Sequence, residues 1–263
     1  MTGIAEIFFL RQLYIHCLYP YGQIIPKSRL AGKPASGILQ GMPFSTIYFD
    51  LDDTLYPPDS GVWEAVGDRI LDFMHNEVGI PLENIVETRM ELFNKYGTTL
   101  RGLNINYGID IHKYLAYVHD IPLAQYIQPN PELRKILLHI PAKKFIFTNA
   151  DKAHARRTLA VLGLEDCFDG MVDVLDVQPY CKPDPGAFDI ALKIAGELDY
   201  QHCILVDDHE QNLQVARQLG MYTIKPHSCA RSTAADACIP NINDLSRILD
   251  PLLKEGGKNG NYS

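Results

Sequence analysis

The chain predicts an α/β fold, a doubly wound parallel sheet with a small helical cap inserted after the first strand. Three observations carry this. Five short apolar runs, 45–50, 143–148, 171–175, 203–207 and 221–225, have the length and composition of strands. Helix-periodic segments separate most of them, and that alternation implies parallel βαβ units with both sheet faces covered. Residues 57–128 break the alternation with helical patterns and no strand.

The first forty or so residues differ from the rest. Ile4 to Leu10 is apolar but brief, interrupted by Glu6 and closed by Arg11. A secretory signal needs a longer apolar centre, and a membrane span needs roughly 20 apolar residues. From Pro20 to Gly41 the composition turns to Pro, Gly, Ser and Lys. Residues 1–41 are therefore expected to be a poorly ordered extension, which the choice of start site alone would explain, and the working domain to open at Met42.

The first strand ends at Asp50, and Pro57-Pro58 opens the insert. Helices are expected over Val62–Val78, Pro81–Tyr96 and Ile109–Val118. In the second, Leu82, Ile85, Val86, Phe93 and Tyr96 form one stripe, closed by Gly97. Gln128-Pro129-Asn130-Pro131 ends the insert, so 57–128 reads as a lid between two stiff hinges. The core then comprises 42–56 and 129–250. Its helices are Glu132–Ile140 after Pro131, Asp151–Leu162 stopped by Gly163, Pro185–Ala195 stopped by Gly196, and Glu210–Leu219 stopped by Gly220. Residues 251–263 are expected to be a flexible tail.

Composition narrows the function. Hydrophobic residues at 46% and charged ones at 21% describe an ordinary globular protein. A net charge of −8 without a basic cluster argues against nucleic-acid or anionic-membrane partners. It leaves room for a small phosphorylated metabolite drawn by a local lysine and a metal. Six cysteines, at 17, 167, 181, 203, 229 and 238, show no CxxC or zinc spacing and read as mostly buried thiols in a reducing, cytoplasmic setting. Oligomeric state is not legible.

The chemistry gathers at strand ends, where open parallel sheets bind ligands. Asp50 and Asp52 stand two apart where the first strand stops, so both carboxylates point the same way. They repel unless a cation sits between them or one keeps its proton. Bound Mg²⁺ would leave Asp50 ionised as a nucleophile, and a raised pKa would make Asp52 an acid. Phe145-Ile-Phe-Thr-Asn149 ends a second strand with a hydroxyl and an amide. Cys181-Lys-Pro-Asp-Pro-Gly186 sets a lysine before proline, ahead of a helix. Leu205-Val-Asp-Asp208 ends another strand with two acids. A purely structural use of Asp207-Asp208, as a helix cap, is the competing reading.

These four motifs, in this order over residues 44–226, resemble the haloacid dehalogenase superfamily. The resemblance implies an aspartyl-phosphate mechanism with Asp50 as nucleophile and Asp52 as general acid and base. It implies Thr148, the backbone around Asn149, and Lys182 as phosphate contacts, with Lys182 also neutralising Asp50. Asp50, Asp207 and the Asp52 main-chain carbonyl would hold Mg²⁺, and Asp208 would be a further ligand or would orient Lys182. Asp53 is expected to face away and bond to loop backbone. An acid at position 52 favours phosphate esters over carbon–halogen bonds, since a departing halide needs no proton. Asp50 to Tyr56, Tyr96-Gly-Thr-Thr-Leu-Arg-Gly-Leu103 and Phe147 to Asp151 further resemble the pyrimidine 5′-nucleotidase branch, implying UMP- and CMP-like substrates. Arg101, Tyr96 and Tyr107 are then candidates to meet sugar or base, though equally a solvated arginine and packed tyrosines. The alternatives are a phosphatase for a small sugar or organic-acid phosphate, such as phosphoglycolate, and a catalytically silent binding protein on the same fold.

Overall fold

The computed structural model describes residues 44–228 and 232–254. The expected 1–41 extension, Cys17, Cys229 and residues 255–263 lie outside the described residues. Six parallel strands form one sheet: β1 Thr46–Phe49, β2 Lys143–Phe147, β3 Gly170–Val172, β4 Cys203–Val206, β5 Tyr222–Lys225 and β6 Ala237–Cys238. Their order is β3-β2-β1-β4-β5-β6. This is a doubly wound order, with the chain reversing its direction of travel beside β1. The five expected strands are all present. The sixth escaped the apolar-run criterion because it is a two-residue edge strand at Ala237-Cys238.

Side-chain alternation explains how both faces are covered. Ile47, Phe49, Ile146, Ile204, Val206 and Ile224 enter one apolar cluster, and Tyr48, Phe145, Phe147, Cys203 and Leu205 enter the other. The first cluster takes Leu133 and Leu137 of α5 (Pro131–His139), Leu159 of α6 (Lys152–Leu162), and Leu245 and Leu249 of α9 (Leu245–Lys254). The second takes Phe188 of α7 (Pro185–Ile194) and Leu213 of α8 (Glu210–Leu219). The helix α9 takes in residues 251–254 of the expected tail, and the rest of that tail lies outside the described residues. Burial of Leu245 and Leu249 anchors it, and it continues through Pro251 to Lys254.

Local chemistry sets the helix ends. Asp151 accepts from His154 N to open α6, and Asp184 accepts from Gly186 N to open α7 at Pro185. Asn130 does the same for α5 through Leu133 N. Gly163 and Gly220, at φ 70° and 106°, close α6 and α8 in the left-handed region.

The helical insertion after β1 contains α1 (Val62–Asn76), α2 (Ile85–Tyr96), α3 (Thr99–Tyr107) and α4 (Ile111–Val118). The expected 81–96 helix divides into a short 3₁₀ turn, Leu82–Asn84, and α2. Gly97, at φ 85°, then permits a turn into α3, which Thr98 caps. Buried side chains of the insert, among them Val66, Phe73, Leu103 and Tyr114, run into the same apolar cluster as Ile47 and Phe49.

The packing of α3 on α2 requires Gly102. A Cβ there would meet Leu92 Cβ at 2.7 Å, and a clash between two Cβ positions has no rotamer escape. Helix propensity alone favours Ala over Gly by about 1 kcal/mol. Overpacking opposes it, so Gly102→Ala should lower stability by about 1–3 kcal/mol. A urea midpoint unchanged or raised would show that the two helices separate without penalty.

Candidate active site

β2, β1 and β4 lie side by side, so their carboxyl ends bring Thr148, Asp50 and Asp207 to one edge of the sheet. Asp50 N donates to Val206 O at 2.9 Å and Thr148 N to Val172 O at 3.0 Å, extending the sheet's bonding into the site. Lys182 reaches this edge from the loop between β3 and α7. Its ammonium lies 2.9 Å from Asp50 Oδ1 and 2.7 Å from Asp207 Oδ2, with the side chain only 1% exposed. Burial works against its charge, and Asp207 and Asp50 outweigh burial, so the pKa rises above the usual lysine range.

Asn149 fixes where that lysine starts. Its Oδ1 accepts from Lys182 N at 2.8 Å and its Nδ2 donates to Lys182 O at 2.9 Å. The side-chain amide is thus engaged with the lysine's backbone. Thr148 Oγ1 accepts from Ala150 N at 3.0 Å and retains its own proton to donate.

The acids after β4 divide their work. Asp207 is fully buried and accepts from Lys182, from Asn212 Nδ2 on both oxygens at 3.0 Å, and from His209 N at 2.9 Å. Asp208 lies less deeply and accepts from Thr54 Oγ1 at 3.3 Å, while its own N donates back to that hydroxyl at 3.1 Å. Carboxylate oxygens of Asp50, Asp207 and Asp208 all fall within 4.8 Å of one another. One ammonium therefore faces three carboxylates. Burial raises the Asp50 pKa, Lys182 opposes it, and Asp207 and Asp208 raise it further, leaving it well above the ordinary value. Burial and then Asp207 push Asp208 up to about 7. A converging, oxygen-only, negatively charged donor set with unbalanced charge fits a hard divalent cation such as Mg²⁺.

Asp52 departs from expectation. Tyr56 Oη donates to Asp52 Oδ1 at 2.6 Å, and His154 Nε2 meets the same oxygen at 2.8 Å. Burial would raise Asp52, but the His154 charge, its hydrogen bond and that of Tyr56 prevail and hold it at about 2. The expected raised pKa is thus reversed in the resting chain by two donors. Asp53 is a second correction. It sits at φ 56°, its Oδ1 is buried with no hydrogen-bond partner, and burial followed by Asp208, Asp52 and Asp50 raises it to about 8.

Among the cap candidates, Arg101 Nη1 lies 3.7 Å from Asp184 Oδ2, beside the lysine loop, and its Nε is buried without a partner. Tyr96 Oη donates to Asn106 at 3.3 Å, and Tyr107 is exposed. Motif reasoning passed over Tyr56 and His154. Spacing rules for metal ligands ignore a lone histidine, yet one in the first turn of a helix following a site strand faces the same crevice.

The model of the haloacid dehalogenase-like hydrolase family matches residues 44–220, more than half the chain. The protein belongs to that family. Phosphate metabolism protein 8 of Saccharomyces cerevisiae is 30% identical over 188 residues, 66% of this chain. The aligned stretch spans 59% of that relative's length. β-Phosphoglucomutase from Clostridium difficile has 19% identity and a TM-score of 0.56, covering 81% of this chain and 98% of its own. The HAD-hydrolase YfnB from Bacillus subtilis, in its magnesium-bound structure, has 18% identity and a TM-score of 0.53, covering 79% of this chain and 99% of its own. These two structures share the fold, a parallel sheet with its helical insertion. The chain is thus a haloacid dehalogenase-like hydrolase with a cluster of aspartates at the carboxyl edge of the sheet. No helix among the described residues is long and apolar enough to cross a membrane.

Asp53 offers a clean electrostatic test. Its folded pKa is raised, so near neutral pH it is protonated when folded and ionised when unfolded, which lowers stability as pH rises above about 4. Asn keeps the shape, tolerates positive φ and removes this linkage. Metal-free Asp53→Asn and parent protein should melt together near pH 4. The variant should become progressively more stable up to about pH 8. Parallel melting curves across that range would place the Asp53 carboxyl in a solvated setting.

Proposed function

We propose that this hydrolase cleaves phosphomonoesters with Mg²⁺ through an aspartyl-phosphate on Asp50, with pyrimidine nucleoside monophosphates as substrates. The observation that carries the reading is the Lys182 bridge between Asp50 and Asp207, adjoining Asp52 on the same strand end. Lys182 orients the Asp50 carboxylate and offsets negative charge as the phosphoryl group arrives. Thr148 Oγ1 and backbone amides near Asn149 receive phosphate oxygens. Asp52 gives a proton to the departing ester oxygen and takes one from the attacking water, worth roughly 10²–10⁴-fold in rate.

Asp50, Asp207 and Asp208, with the Asp52 main-chain carbonyl, would hold Mg²⁺, which when bound supplies positive charge against the phosphate oxygens. Asp208 is the better placed of the two acids after β4 to serve as a direct ligand, because both Asp207 oxygens already accept hydrogen bonds. The insertion, 57–128, acts as the cap that limits substrates to small soluble esters. Support for the pyrimidine reading is the cap sequence Tyr96 to Leu103 and the position of Arg101 by the lysine loop. The name of the yeast relative, which refers to phosphate metabolism, is compatible with a phosphatase and says nothing of the base.

Phosphate release with Mg²⁺ should be measured across UMP, CMP, AMP, phosphoglycolate and several sugar phosphates. UMP and CMP should exceed AMP. A preference for phosphoglycolate or a sugar phosphate would transfer the assignment to that class, and no release from any ester would favour the silent binding protein. Chelation of divalent metal should abolish activity and added Mg²⁺ restore it. Asp50→Asn should leave the fold intact and reduce turnover by at least ~10⁴-fold, the scale of losing a covalent nucleophile. Substantial residual activity in that variant would exclude the covalent route.

A further inference from the structure

Two side chains from separate parts of the chain hold Asp52. Tyr56, four residues on in the same loop, and His154, from the first turn of α6, both reach Oδ1, at 2.6 and 2.8 Å. Two partners on one oxygen leave Oδ2 as the one available to a substrate. The side chain of His154 is 1% exposed. Its ring stacks on His119 with centroids 4.2 Å apart and planes inclined by 23°. His119 Nδ1 is tied at 3.0 Å to Asp151 Oδ1, the same oxygen that accepts His154 N at 3.2 Å to cap α6. The buried Nδ1 of His154 has no partner, and Thr158 Oγ1 lies 3.5 Å from Nε2. Asp52 is therefore the close polar partner of this imidazole side chain, which stacking and burial deny other rotamers.

We propose that His154 and Tyr56 are positioning residues that lock the Asp52 carboxyl so that Oδ2 delivers and recovers the proton of ester cleavage. This inference rests on the phosphomonoesterase reading. In the first step, a bond forms from Asp50 to phosphorus while the ester P–O bond breaks, and the Asp52 proton passes to the departing oxygen to give the alcohol. In the second, water attacks phosphorus, its proton goes to Asp52, and the Asp50–phosphorus bond breaks to release inorganic phosphate. A carboxyl free to rotate would present Oδ2 only part of the time. An alkoxide leaving group would suffer from that, whereas a good leaving group would not, since it departs without a proton.

The test compares β-glycerophosphate, an alkyl ester, with p-nitrophenyl phosphate in the full-length protein with Mg²⁺. His154→Leu should lower kcat on the alkyl ester about 10²-fold but less than tenfold on the aryl ester, the difference being the share of general-acid assistance lost. KM should change little for either. His154→Gln should recover most of the alkyl activity, because its amide can donate to Oδ1 from the place of Nε2. Tyr56→Phe removes only a hydroxyl and should skew the two esters in the same direction. It decides the matter if His154→Leu does not fold. Equal losses on both esters, or none, would overturn the positioning role. A parent protein that releases phosphate from neither ester, nor from UMP or CMP used as the alkyl ester in their place, would overturn the phosphomonoesterase reading itself.

Discussion

The site depends on one buried ammonium. Lys182 stands between Asp50 and Asp207 at hydrogen-bond distance from both, shielded from water. A charge in such a place is tolerable only when paired, and carboxylates in such a place equally need a cation. The carboxylates hold the ammonium in its charged form, and the ammonium opposes the burial that pushes Asp50 up. Because the three groups come from the end of β1, the loop before α7 and the end of β4, a single electrostatic contact ties together remote stretches of chain. Asn149 contributes from the end of β2 by clamping the lysine's backbone on both sides. The lysine is held by its main chain at one end and by its charge at the other.

Sheet order makes that meeting geometrically inexpensive. Adjacent strands lie about 4.8 Å apart. Residues just beyond β2, β1 and β4 are therefore neighbours without any long side-chain reach, and Lys182 needs only to bridge from the adjoining loop. Burial of β1 on both faces leaves its end little freedom, since Ile47 and Phe49 pack on one side and Tyr48 on the other. The rigid part of the molecule thus carries the charged part.

Much of this was legible beforehand, and the exceptions have physical reasons. Strands β1 to β5 were visible because buried parallel strands read as continuous apolar runs, and the ends of β1, β2 and β4 were visible because those runs stop at Asp50, Thr148 and Asp207. β6 was not, since Ala237-Cys238 is too short to form a run. Helix α3 was hidden by Gly102, Asn104 and Asn106, which weaken a helical pattern; packing against Leu92 and the Thr98 cap supply what propensity lacks. In the site, motif spacing pointed to Asp50, Asp52, Thr148, Lys182 and Asp207. It could not show that Asn149 spends its side chain on Lys182, or that His154 meets Asp52 across 102 residues. Such contacts depend on tertiary placement and leave no periodic trace.

The two acids of β1 are driven in opposite directions by their surroundings, which is how one short segment can hold two chemical roles. Asp50 is pushed up by burial and by the acids after β4, so added positive charge favours its nucleophilic form. Asp52 is held down by His154 and Tyr56, so in the resting chain it is a carboxylate. An acid role asks it to carry a proton when substrate is present. A phosphomonoester brings negative charge to the same crevice, and a nearby like charge raises a carboxyl's pKa. On the proposed route the entering phosphomonoester would thus work against the two donors and favour the acid form. After the phosphoryl group has moved to Asp50 and the proton has left with the alcohol, the same donors would, on that route, favour the carboxylate that accepts a proton from water. Holding Asp52 low in the empty chain favours the proton-accepting half of that proposed task, and the groups that do so are His154 and Tyr56 rather than the strand itself.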